Sequence, residues 1–99
     1  MASEQLYRKS IRYIKKLLKE KLPEGSQYFL FGSRAKGTSV NFSDIDIGVI
    51  SDKKLDDIII EIKEIIDESF VPYNVDIIDF KKVSKKFKDE AMKKIELWS

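Results

Sequence analysis

The run Asp44-Ile45-Asp46-Ile47-Gly48-Val49-Ile50 constrains the fold of this chain more than any other segment. Acid and aliphatic side chains alternate at its start. On a β-strand, residues two apart point to the same side, spaced by about 7 Å along the chain. Asp44 and Asp46 therefore share one face, and Ile45, Ile47 and Val49 share the other. The aliphatic face has to be covered, which leaves the acidic face free for chemistry. Two carboxylates this close raise one another's pKa unless a cation lies between them. Aspartate is also poorly suited to strands, so its repetition inside an Ile/Val run points to a metal-binding edge. The plainer reading is a pair of solvent-facing aspartates on an edge strand.

The flanking sequence supplies the rest of a small domain. From about Glu4 to Leu22, Tyr7, Ile11, Ile14 and Leu18 recur at helical spacing and predict an amphipathic helix with a basic, solvated outer face. Pro23-Glu24-Gly25-Ser26 ends it. Gln27–Phe31 reads as a first strand, stopping at Gly32-Ser33, and Arg34–Ser43 reads as a loop with one helical turn at its start. After the strand from Asp44 to Ile50, Asp52 is placed to cap a helix whose stripe is Leu55, Ile58, Ile59, Ile62, Ile65 and Ile66. Pro72 closes that segment, and Tyr73–Phe80 forms a third strand. Ser84 is placed to cap a last helix with Phe87, Ala91 and Ile95 inward. The helical connection between the second and third strands is long enough for a right-handed parallel crossover, whereas the loop between the first two suits an antiparallel pair. The expected architecture is α/β (mixed α+β): a small mixed sheet of about three strands with helices mainly on one face, in a single domain spanning residues 1–99.

Two further clusters bear on chemistry. In Asn74-Val75-Asp76-Ile77, alternation sets Asp76 opposite Val75 and Ile77; beside the second strand it would join Asp44 and Asp46. Three carboxylates fit the oxygen-rich metal sites of phosphoryl transfer. Asp79, an odd step away, points to the other face and reads as a solvated strand-end carboxylate. The second cluster is Gly32-Ser33-Arg34-Ala35-Lys36-Gly37. A strand that ends in Gly-Ser exposes backbone N–H groups to an anion. Gly32 allows close approach, Ser33 adds a hydroxyl donor, and Arg34 and Lys36 bring positive charge. A Gly-Ser pair alone is common at turns, and its spacing to Asp44 and Asp46 is what gives it meaning.

Composition narrows the chemistry further. The chain has neither histidine nor cysteine, so disulfides, thiolate or imidazole metal sites and a cysteine nucleophile are excluded. Any metal site must be built from oxygen, which suits Mg²⁺ or Mn²⁺. The net charge of +2 is too small to predict direct nucleic-acid binding from bulk electrostatics. No apolar run is long enough to span a bilayer and no signal peptide is visible, so a cytoplasmic location is expected.

Gly32-Ser33, a spacer, Asp44 and Asp46 on one strand and Asp76 on a later one together resemble the signature of the nucleotidyltransferase superfamily that includes DNA polymerase β and the kanamycin nucleotidyltransferases. The length resembles its minimal (MNT) branch. The resemblance implies a nucleotidyltransferase fold in which Asp44, Asp46 and Asp76 are catalytic metal ligands, with Asp76 helping to activate an acceptor hydroxyl. It also implies nucleotide binding by Gly32, Ser33, Arg34 and Lys36. Lys36 stands where relatives often carry arginine, and the Glu-Gly turn that often follows the family's last helix is missing here. The implied activity is transfer of a nucleoside monophosphate, AMP from ATP, to a hydroxyl on a partner protein. The implied partner is a helical HEPN protein, in the antitoxin half of a toxin–antitoxin pair. A catalytically weak module that inhibits its partner by binding alone, and a transferase for a small molecule or nucleic acid, are the alternatives. Ile60, Leu97 and Trp98 lie off the core stripes and are candidates for a partner or homodimer surface.

Overall fold

A computed structural model describes the backbone of residues 2–37 and 43–99, and the side chains of 4–37 and 43–99. Helix α1 spans Ala2–Lys21, β1 Gln27–Phe31, α2 Ser33–Lys36, β2 Ile45–Ile50, α3 Asp56–Asp67, β3 Val75–Asp79, α4 Lys85–Ala91 and β4 Glu96–Leu97. The single helical turn expected after Gly32 is α2; the remainder of that loop, 38–42, lies outside the described residues.

The sheet has the order β3-β2-β1-β4. As the connections require, β1 and β2 pair antiparallel and β2 and β3 pair parallel. The fourth strand was not foreseen. Two residues carry no periodicity, and only the unsatisfied edge of β1 draws them in, pairing Phe29 with Leu97 and Leu30 with Glu96. The chain beyond β4 stays attached: the Trp98 and Ser99 amides donate to the Tyr28 carbonyl at 3.0 and 3.2 Å.

Alternation divides the sheet into two faces. Tyr28, Leu30, Ile45, Ile47, Val49, Val75 and Ile77 form one core with Ile14 and Leu18 of α1 and Ile62 and Ile66 of α3. Phe29, Phe31 and Phe80 form a smaller cluster on the opposite face, and α4 lies there, its Phe87 ring 6.1 Å from that of Phe31 and 6.0 Å from that of Phe80. Helices thus cover both faces, with the larger layer on the α1/α3 side. Ser84 caps α4 as expected, its hydroxyl accepting from the Phe87 amide at 3.1 Å.

Asp52 does not cap α3. Leu55 occupies that position and is fully buried. Ser51 closes the preceding turn by accepting from the Lys53 amide at 3.1 Å. Burial of Leu55 sets where the helix begins, and Asp56 and Asp57 place negative charge in its first turn instead.

Candidate functional site: a carboxylate pair under a glycine turn

The strand register brings Asp46 of β2 directly beside Asp76 of β3. Adjacent strands lie about 4.8 Å apart and paired residues point to the same side. Asp44 sits one step before β2 and is exposed. The Asp46 carboxyl is pushed above the usual carboxylate range, first by partial burial and then by the charges of Asp76 and Asp44. That coupling places the three acids within electrostatic reach of one another. Among the described residues no three acidic side chains converge into a ready metal cage. Their donor set is nevertheless all oxygen, as a hard divalent ion requires.

The turn after β1 closes over this pair. Phe31 is in register with Asp46, and Gly32 follows with φ 76° and ψ −156°, a conformation essentially confined to glycine. A Cβ on Gly32 would collide with the Asp46 carboxylate. The glycine is therefore required by the aspartate beside it as well as by the turn. Ser33 begins α2, next to that contact.

The two cations of the turn diverge. Arg34 donates from Nε and Nη2 to the Ser43 carbonyl at 3.1 and 2.9 Å. Its guanidinium lies 4.3 Å from the Tyr7 ring centroid and 5.0 Å from that of Tyr73. Arg34 thus ties α2 to the entry of β2 instead of facing the carboxylates. Lys36 lines a cleft of about 150 Å³ with Phe31, Gly32, Phe87 and Glu90, on the same face as the small aromatic cluster.

Sequence reading missed Lys63. Its ammonium, on α3, lies 3.8 Å from Asp76 Oδ1. Nothing in the local pattern of a helix reveals which distant strand its lysine will reach. Asp79 points away from Asp76 as alternation requires. It is buried, however, not solvated, and its Oδ1 accepts from the Lys81 amide at 3.0 Å.

The expected apolar surface is only partly present. Ile60 and Leu97 are exposed, but Ile60 lies beside β3 and Leu97 on β4, at opposite edges of the sheet. Trp98 instead packs against the larger core under the Lys15 ammonium, 5.2 Å from its ring centroid. No helix among the described residues is long and apolar enough to cross a membrane.

A mixed sheet with acids at paired positions on neighbouring strands and a Gly-Ser turn at their mouth is the architecture of a nucleotidyltransferase domain. The chain belongs to the Polymerase beta nucleotidyltransferase family, whose model matches residues 12–99. It is similar to a probable protein adenylyltransferase MntA of Haemophilus influenzae, with 34% identity over 77 residues covering 77% of this chain and 67% of that protein. A crystal structure of a toxin–antitoxin with AMP-PNP superposes with a TM-score of 0.75 at 29% identity, covering 89% of this chain and 71% of that one. A toxin–antitoxin MntA–HepT structure gives a TM-score of 0.68 at 25% identity over 93% of this chain and 71% of the other.

Proposed function

We propose that this protein is an adenylyltransferase that moves AMP from ATP to a hydroxyl group on a helical HEPN-type partner, as the antitoxin of a toxin–antitoxin pair. The observation that carries the reading is the register match of Asp46 with Asp76 beneath Gly32. The family, the adenylyltransferase relative and the AMP-PNP-bound neighbour support it.

Gly32 and Ser33 receive the triphosphate through backbone N–H groups and the serine hydroxyl, and Lys36 adds charge from the adjoining cleft. Arg34 acts one step back, holding the chain at Ser43 and so the approach to Asp44. Asp44, Asp46 and Asp76 would hold a divalent ion, Mg²⁺ or Mn²⁺, which when bound neutralises the triphosphate and relieves the repulsion among the carboxylates. Asp76 accepts the proton of the acceptor hydroxyl. The freed oxygen attacks the α-phosphorus, a new P–O bond forms, and the bond to the β-phosphate oxygen breaks to release pyrophosphate.

The test is to incubate the protein with Mg²⁺, ATP labelled on its α-phosphate, and the purified product of a HEPN-type gene. Label should appear on that product and be lost with Asp76→Ala. A tight complex without transfer, by wild type and variant alike, would establish inhibition by binding alone.

A further inference from the structure

A wide polar cleft, lined by Arg34 but by none of the three aspartates, lies on the α1 side of the sheet. It encloses about 490 Å³ between α1 and the β1/β4 edge. Arg8, Arg12 and Lys15 of α1 and Arg34 of α2 line it, against one carboxylate, Glu96. The imbalance follows from the helix itself, because α1 carries seven basic residues and only Glu4 and Glu20 as acids. The whole chain is only +2, so the α1 face is far more basic than the molecule as a whole.

The cations differ in how freely they can meet a ligand. Arg34 is held by Ser43 and two tyrosines and supplies field alone. Arg8 is paired with Glu4 at 2.9 Å, but both side chains are largely exposed, and such a pair is readily exchanged. Lys15 is exposed, with its ammonium over the Trp98 ring. Arg12 is exposed and makes no ion pair or hydrogen bond among the described residues. Tyr7, already stacked under Arg34, and apolar Ile11 and Leu30 complete the lining. A phosphodiester backbone gains little from such surface, whereas a polypeptide with acidic and aliphatic side chains uses both.

We infer that this cleft docks an acidic, aliphatic segment of the protein that accepts the nucleotide. Arg34 links it to the Gly32-Ser33 turn, so a segment held along α1 stays tethered while a hydroxyl of the same partner reaches Asp76. The inference rests on the protein-acceptor reading above, and it concerns a surface that the carboxylates do not share.

The experiment uses a fluorescein-labelled peptide of glutamate and leucine, a glutamine–leucine control peptide and an oligouridine RNA, read by anisotropy. The variants are Arg12→Glu/Lys15→Glu and, as a milder pair, Arg12→Gln/Lys15→Gln, with circular dichroism to verify folding. The acidic peptide should bind wild type and the control should not. Charge reversal should weaken binding on the order of tenfold or more, the glutamine pair less, and added salt should weaken wild-type binding. ATP binding measured by calorimetry should be unchanged in these variants. Conversely, Asp44→Asn/Asp46→Asn should lose ATP and keep the peptide, which separates failure of docking from failure of the nucleotide reading. Undiminished peptide binding on reversal, or none by wild type, overturns the inference. So does tighter cleft-dependent binding of the RNA, or a sedimenting dimer that reversal dissociates, since the occupant would then be nucleic acid or a second copy.

Discussion

At the scale of single residues, Gly32 and Asp46 answer to each other. The turn needs a positive φ at Gly32, and the carboxylate fills the space a side chain would take. Gly32→Ala should therefore lower stability by about 2–3 kcal/mol, combining backbone strain with displacement of Asp46, and should weaken ATP binding as well. Thermal melts and calorimetry would measure the two effects. Asp46 carries a cost of its own. Its folded pKa is raised, so the folded state binds the proton more tightly than the unfolded chain does. Its penalty is absent below the unfolded value near 3.8 and grows as pH rises towards the folded value, where it becomes constant. In metal-free buffer Asp46→Asn should raise the melting temperature at neutral pH, and the gain should vanish under acid conditions. Melts across pH would reveal it, and a uniform gain at all pH values would contradict the electrostatic cause.

At the scale of elements, the second face of the sheet depends on how closely α4 can approach. Gly48 faces that cluster, and a Cβ there would come within 2.5 Å of the Phe29 ring and 2.7 Å of the Phe80 ring. Those rings meet edge to face at 5.0 Å. Gly48→Ala should force them apart, cost about 1–3 kcal/mol as overpacking, and loosen α4, which packs against the same cluster through Phe87 and Ala91. Denaturant titration would give the loss, and amide exchange should rise most in residues 85–91. The α1/α3 face has no such pinch, because its sheet positions other than Tyr28 are aliphatic and its helices supply matching stripes.

At the scale of the whole molecule, stability and ligand binding are linked. A ligand that binds only the folded state adds about 2.7 kcal/mol at one hundred times its dissociation constant. For a chain of this size that corresponds to a rise of roughly 11–22 °C in melting temperature. Mg²⁺ with ATP should produce such a shift in wild type and none in Asp44→Asn/Asp46→Asn, whose unliganded melting temperature should not fall. An equal shift in both proteins would remove the carboxylates from the nucleotide site.

Local chemistry carried most of the fold in the sequence. The Asp44–Ile50 alternation, the isoleucine stripe of α3, the Gln27–Phe31 run and the Ser84 cap depend on neighbours a few residues away, and each appears as read. Strand periodicity put Asp44 and Asp46 on one face, while Asp76 joined them only on the condition that its strand lay beside theirs, which the register of β2 with β3 meets; Gly32 was tied to them by spacing along the chain. Tertiary structure decided what depends on distant partners. It recruited β4 to the open edge of β1 and moved the start of α3 to the buried Leu55. It turned Arg34 away from the carboxylates towards Ser43 and two tyrosines, and brought Lys63 to Asp76. Periodicity determines which way a side chain points, but only packing determines what it meets there.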